Sequence, residues 1–598
     1  MTPSESVRVG NFSGFYGDRA DGLSALLHSD VDYVTGDFLA ELTMSILNKS
    51  RRKDDRQGYA RTFVGQLREN LSTIVEREVK VITNAGGVAP RLLAELLDIH
   101  CREAGYLLKV AVVDGDDLLK CEGSGVKLLR HLHDHRPIDL SGEEVTAANC
   151  YFGAFGIAKA LELGADVVIT GRVTDAALAM GPAIYFHGWV QSDFDQLAGA
   201  LVAGHIIECG SQACGGNYSF IDEIEDPGLF GLPIAEIFDD GSSVITKSAN
   251  SGGVVSIGTI KSQLLYEISS PLYLNPDVIA DFSTIKLSQI AKNEVRVSET
   301  RGLAPTDDLK VSLLVDGGYR NSMTAVITGL DPKKKADLLI EHLKLKLDIG
   351  QFDSFETELT KAAKDDPPSN EEANSYLKVS VASSNEELAG RRFSNAIVEL
   401  ALSNYAGFHS TTPPGSASRF DRYIPALIER SSVVEMVSLV GVEDSQFTIE
   451  GPSNYSSYDE LAVRLAAIQN DRANLGSLSE TTTVTMAPLG AIVGARSGDK
   501  GGDCNIGIFV NDSPSYEWLE EFLTEEKFKS LFPDFAKFRV LRYRFNNLLA
   551  LNFIVEGLLG DGVSSSTRND PQGKGAGEYV RSRIVPIPTN ITSLKRNI

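Results

Sequence analysis

Short apolar, β-branched runs alternate with stretches of helical spacing through the first third of the chain, and each run ends in polar residues and glycine. Val7–Gly10, Val31–Thr35, Val79–Thr83, Leu107–Val113 and Asp166–Thr170 read as strands, and His205–Ile207 is a sixth. Helical spacing follows at Phe38–Leu47, Tyr59–Val75, Pro90–Ala104, Ala147–Leu163 and Asp175–Phe186. Strand, glycine turn and helix repeated in this way are the sequence form of βα units, which imply parallel strands. The pattern predicts an α/β fold with a mostly parallel sheet and flanking helices. A strand count near six, with no eightfold repeat, favours an open sheet over a closed barrel.

After Asn217 the texture changes. Ser243–Lys247, Val254–Ile260, Thr284–Gln289, Glu294–Glu299 and Val311–Val315 are short alternating runs between Gly, Pro and Asn turns, as in an α+β portion with antiparallel character. Lys333–Leu347, Glu386–Asn404 and Ser457–Asn470 read as helices. A polar Ser/Thr-rich linker precedes Pro488, which opens a last α+β unit. The expected division is 1–217 (α/β, carrying the strand-end site), 218–474 (α+β), linker 475–487, and 488–598 (small α+β).

Composition narrows the classes. The 598 residues contain 57 Lys and Arg against 81 Asp and Glu, a formal net charge of −24. That balance argues against a nucleic-acid partner and against docking on an anionic membrane. Apolar runs fall far short of the ~20 residues that span a bilayer. No secretory signal precedes Val7, and six cysteines without a CxxC pair read as free thiols of a reducing compartment. A soluble cytoplasmic protein is expected.

In βα folds ligands bind where the carboxyl ends of strands meet the next helices. The acids there are Asp37, Glu41, Asp114, Asp116, Asp117 and Asp175. If they converge, they hold a Mg²⁺-like ion or supply a general acid/base pair; otherwise they cap helices and form turns. Asp37 and Glu41, four apart, are expected on one face of a helix. Arg172 is a candidate anion clamp, or else the salt-bridge partner of Asp175. Asn84, Gly86, Gly87, Gly215 and Gly216 could line a nest of backbone donors, or simply form turns. Glu208 and Gln212 sit beside His205 and Cys209, with Glu208 the better candidate for moving a proton than Cys209 for attack. His131, His133 and His135 read as metal ligands or as a solvated loop. Asp499 and Lys500, in Arg496-Ser497-Gly498-Asp499-Lys500-Gly501-Gly502, bind an anion or mark a tight turn. P-loop, nucleophile-elbow and zincin motifs are absent from the sequence.

Gly36-Asp37-Phe38-Leu39-Ala40-Glu41-Leu42-Thr43-Met44, Asn84-Ala85-Gly86-Gly87, Val113–Asp117, Thr170–Asp175 and Leu201–Gln212 occur in this order. Together they resemble the acyclic terpene utilisation family, AtuA, from about Val7 to Glu450. From Pro488, Arg496–Gly501 resembles the small AtuA-like C-terminal domain. The resemblance implies a place in the breakdown of citronellol-type terpenes and branched acyl-CoA intermediates. Two readings follow. One is an enzyme with lyase or hydratase chemistry on an acyl-CoA or related carboxylate. In it Asp37, Glu41 or Glu208 moves the proton, Arg172 holds the anion, and CoA is the substrate's carrier. The other is a non-catalytic subunit that binds acyl-CoA or scaffolds an enzyme handling it. A homo-oligomer is compatible with both.

Overall fold

The computed structural model describes residues 6–120, 125–470 and 483–591. Five of the expected strands form as read: β1 (Ser6–Ser13), β2 (Tyr33–Gly36), β3 (Lys80–Thr83), β4 (Val110–Asp114) and β5 (Val167–Thr170). They lie side by side in the order β1-β2-β3-β5-β4, all parallel. Alternate residues feed opposite cores, because successive side chains on a strand point to opposite faces. Val34, Val81, Val112 and Ile169 pack with Leu67, Leu71, Leu93 and Leu97. Ile82, Val113 and Val168 pack with Ile157, Leu161 and Leu201 on the other side. Helices thus cover both faces, which is why these strands read as continuous apolar runs.

The sheet as a whole is not mostly parallel. Pro233–Phe238 pairs antiparallel with β1, and Ser243–Lys247, Glu294–Ser298 and Lys286–Ala291 extend that edge. Glu435–Leu439 pairs antiparallel with β4 and is followed by Phe447–Ile449. The result is an eleven-stranded sheet with a parallel centre. It draws on segments from both sides of residue 217. A second, seven-stranded antiparallel sheet is built around the long strand Asp308–Thr328. Local βα spacing carries no record of strands that return from hundreds of residues away.

Other elements differ from the sequence reading for identifiable reasons. His205–Ile207 is the end of the helix Phe194–Ile207, which is apolar on nearly every face and so shows no amphipathic period. Val145–Cys150 is a strand paired with Asp308–Thr328, and the helix starts only at Phe155; cross-strand pairing overrides the helix preference of Ala147 and Ala148. The run Val254–Ile260 contains a capping box, Ser256 with Thr259, and becomes the helix Ile257–Leu264. Glu386–Asn404 keeps only the short helix Phe393–Val398 after a π turn.

The last unit is a four-stranded antiparallel sheet of Gly494–Lys500, Asp503–Phe509, Ala550–Val555 and Val540–Phe545. Gly494–Lys500, read as a loop, is a strand that reverses through Gly501-Gly502, with Gly501 at φ +68°. Residues 475–482 of the expected linker lie outside the described residues, and Val484–Pro488 pairs with Ile584–Pro588. The unit is seated on the segment after the helix Ile257–Leu264. There Glu267 N–H donates to Asn505 Oδ1 (2.8 Å), and Asn552 Nδ2 donates to Ile268 O (3.1 Å). Among the described residues no helix is long and apolar enough to cross a membrane.

Candidate functional site

Turns at the carboxyl ends of β2, β3, β4 and β5 lock onto one another. The Asn84 side chain accepts from Phe38 N–H (2.8 Å) and donates to Asp37 Oδ1 (2.6 Å), so the β3 turn holds the β2 turn. Leu39 N–H also donates to Asp37 (3.1 Å). Asp37 lies in the extended segment before the helix Glu41–Lys53, not on it, and Glu41 is the first helical residue. After β5, Arg172 N–H donates to Asp116 Oδ2 (3.0 Å), which also accepts from Asn149 Nδ2 (2.7 Å).

The Arg172 guanidinium is almost fully buried. Its Nη1 donates to Asp175 Oδ1 (3.0 Å) and Leu39 O (3.2 Å), and its Nη2 donates to Tyr151 Oη (3.1 Å). It also stacks 4.2 Å from the Tyr151 ring centre. Tyr151 Oη donates in turn to Glu41 Oε1 (3.2 Å), and Lys310 Nζ stands 3.6 Å from the same oxygen. Arg172 Nε has no hydrogen-bond partner among the described residues. The salt bridge of Arg172 to Asp175 forms, and the guanidinium lies within the acid cluster.

Glu208 and His205 form a second buried group. His205 Nδ1 and Glu208 Oε1 are 3.0 Å apart, and Asn11 Nδ2 donates to the Glu208 carbonyl (2.7 Å), tying the helix end to β1. His205 Nε2 and Glu208 Oε2 are buried without a partner among the described residues. The His205 ring lies 5.1 Å from that of Tyr273.

The C-terminal sheet supplies the remaining wall. Lys500 Nζ sits 5.4 Å from the Tyr273 ring centre. Asp499 is 3.7 Å from Lys574 Nζ, and Lys574 also pairs with Glu267 (3.2 Å) and donates to the Tyr266 hydroxyl. Arg496 stacks on Tyr266 and donates to Gln212 Oε1.

Proton affinities diverge within this cluster. Burial would raise Glu41, but Lys310 and Arg172 outweigh it and hold the carboxyl at about 2. Burial, with Asp175 nearby, pushes Asp37 well above the usual carboxylate range against the pull of Asn84 and Arg172. Burial with Asp175 and Glu267 does the same to Glu208. Burial also raises Asp175, and lifts Asp499 to about 7 with Glu267 adding to it. His205 is lowered to about 4 by burial and by Lys500. Burial thus favours the neutral forms of both His205 and Glu208. The Cys209 thiol is pushed well up by burial and Glu208, which keeps it from being a thiolate.

Glu208→Gln should keep the shape and remove the titration. The folded pKa of Glu208 lies above its ordinary 4.5. The stability tied to its bound proton is thus complete below about 4.5 and is lost as pH rises towards the folded value. Urea midpoints should show Glu208→Gln gaining on the wild type between pH 5 and pH 8. A constant difference across that range would contradict the protonated state of Glu208.

Not every candidate joins the cluster. Asp114 turns to Arg91 (2.7 Å). The N–H groups of Gly87, Gly215 and Gly216 close their own turns on Asn84, Gln212 and Ser211. Gly86 fits because a Cβ there would stand 2.4 Å from Thr170 O. His133 lies 3.7 Å from Asp503, and His135 packs edge-on to Tyr458. Among the described residues no three His, Cys, Asp or Glu side chains gather as a metal-holding set. An open groove of about 730 Å³ beside Phe220, Pro488 and Arg581 includes none of the clustered acids. Tyr151, Tyr273, Glu267, Lys310 and Lys574 carry no local motif; only the folded chain reveals them.

Comparison with known families gives two matches. Residues 7–439 match the acyclic terpene utilisation family protein AtuA. Residues 487–586 match the AtuA ferredoxin-like domain, consistent with the four-stranded sheet and its helices. Among curated proteins none matches the chain.

Proposed function

The chain belongs to the acyclic terpene utilisation family, and we propose that it is an enzyme of acyl or carboxylate catabolism with lyase or hydratase chemistry on a branched acyl-CoA or related carboxylate. The observation that supports this reading most is the split in proton affinity between neighbouring carboxyls: Glu41 is held down at about 2, while burial pushes Asp37 and Glu208 well above the usual carboxylate range. Environments that drive carboxyls apart in this way mark acid and base assignments.

In that mechanism Glu41 removes the proton α to the carbonyl. Glu208, poised on His205, gives its proton to the departing hydroxyl, which leaves as water. The negative charge that grows on the carbonyl oxygen is met by the buried cations Arg172 and Lys500, which gain most where water is excluded. Run backwards, the same steps hydrate the double bond.

The test is turnover of branched 3-hydroxyacyl-CoA esters and the matching free acids, followed through the unsaturated product. Glu41→Gln should lower kcat by about 100-fold or more. A protein inert with every compound, yet co-purifying with an acyl-CoA carboxylase or lyase, would replace this reading with the non-catalytic scaffold.

A further inference from the structure

Lys500 stands apart from the other cations of the cluster. Both Arg172 Nη groups are engaged, by Asp175, Leu39 O and Tyr151; Lys310 is paired with Glu41; and Lys574 is held by Glu267, Tyr266 and Asp499. The Lys500 amine makes no hydrogen bond or ion pair among the described residues, and it stands over the face of Tyr273. It is delivered by the last residue of an edge strand, just before the tight Gly501-Gly502 reversal, where its backbone pairs with Asp503 across the hairpin. Part of its surface stays open, whereas Arg172 has almost none. An amine mounted at a hairpin turn, without a hydrogen-bond or ion-pair partner within a cluster of acids, has the arrangement of a nucleophile.

We infer that Lys500 is a catalytic nucleophile of this site, whose amine condenses with the ketone or aldehyde carbon of an oxo acid to form a Schiff base. The inference rests on the reading of this cluster as a carboxylate site, and it narrows the substrate class to acids that also carry a carbonyl. In the step, the Nζ lone pair forms the N–C bond while the carbonyl oxygen takes a proton. The resulting carbinolamine then loses that oxygen as water, leaving a protonated imine. Atoms and electrons balance with water as the only product, and no oxidant or reductant takes part. The proton needed on the departing oxygen is available from Glu208, which lies within electrostatic reach of Lys500. The imine nitrogen then draws electrons from the adjacent C–H or C–C bond, so the cationic sink acts where the thioester mechanism uses an enolate.

Two further features agree. Burial and the neighbouring Lys310 both lower the proton affinity of Lys500, despite the pull of Glu267, Glu41 and Glu208. Desolvation and a second cation are the two usual ways in which a lysine amine is brought to give up its proton for attack on a carbonyl. Arg172 and Lys500 also act on the same acids, Glu41, Asp175 and Glu208.

The experiment is reductive trapping on the intact protein. Pyruvate, 2-oxoisovalerate and acetoacetate are each added with sodium cyanoborohydride, and peptides are weighed by mass spectrometry. With at least one acid, Lys500 should gain the mass of that acid less one oxygen, at about ten-fold the extent of Lys574 and Lys261. Lys261 is the stringent control, since burial lowers it to about 8 but its amine donates to Val510 O. Lys500→Arg keeps the charge and should abolish the adduct. Labelling of Lys500 no greater than that of the two controls, with all three acids, overturns the proposal. Glu41-dependent turnover of acyl-CoA esters in that same protein would show that the carboxylate-site reading survives without the amine. A Lys500 adduct in a protein inert towards every thioester would do the reverse.

Discussion

Arg172→Ala is expected to lower kcat/KM by about a thousandfold and stability by about 3–5 kcal/mol. The stability loss follows from what the guanidinium leaves behind. Leu39 O, Asp175 and Tyr151 Oη each lose a donor, and Leu39 and Tyr151 are buried away from water that could replace it. The loss of activity has a different source. Arg172 lowers Glu41 and is among the cations opposing the rise of Asp37 and Asp175, so its removal moves all three towards the protonated state. Arg172→Lys restores a charge but not the paired donors or the planar stack on Tyr151, and should recover stability better than rate. Urea unfolding and kcat/KM on the same preparations check both parts. Unchanged turnover in Arg172→Ala would remove this residue from the mechanism.

Gly86→Ala adds a single methyl group and should nevertheless cost about 3 kcal/mol. Its Cβ would stand 2.4 Å from Thr170 O and 2.7 Å from Pro90 Cα, both backbone atoms. Thr170 ends β5 and Pro90 starts a helix, so relief requires β3 and β5 to part or the helix to shift. Either movement carries Asn84, and with it the hydrogen bond that holds Asp37. Gly65→Ala is the matched control. It lies in the helix Arg61–Arg77 with nothing within 4 Å of its Cβ, so it should gain up to about 1 kcal/mol. Urea midpoints of the two variants falling on the same side of the wild type would contradict this account.

The parts of the site that were legible in the sequence are those carried by strand ends. Asp37, Asn84 and Arg172 each follow an apolar run directly, and a parallel strand fixes where its carboxyl end lies, so their convergence follows from topology. Lys310 and Tyr151 come from a different sheet, where they sit in or beside antiparallel strands and no glycine turn marks them. Lys500 was visible as part of a Gly-rich stretch, yet that stretch is a β-hairpin, not a loop that wraps a ligand. Glu208 was singled out beside His205, and the strand expected there is a buried helix. Side-chain periodicity reports which face meets the core; when every face does, helix and strand look alike. The parallel centre was readable for the same reason that its antiparallel margins were not: βα units are local, and edge strands recruited from residues 233–298 and 435–449 are not.

The hairpin that ends in Lys500 belongs to the small C-terminal sheet, while the acids it faces belong to the large one. Lys500 is among the charges that keep Glu41 ionised. The small C-terminal unit therefore contributes to the titration of the large one. A chain stopped before Pro488 would retain every strand-end acid, but with one cation fewer its base would bind protons more readily. The association of the two units is in this sense an electrostatic setting as well as a mechanical one.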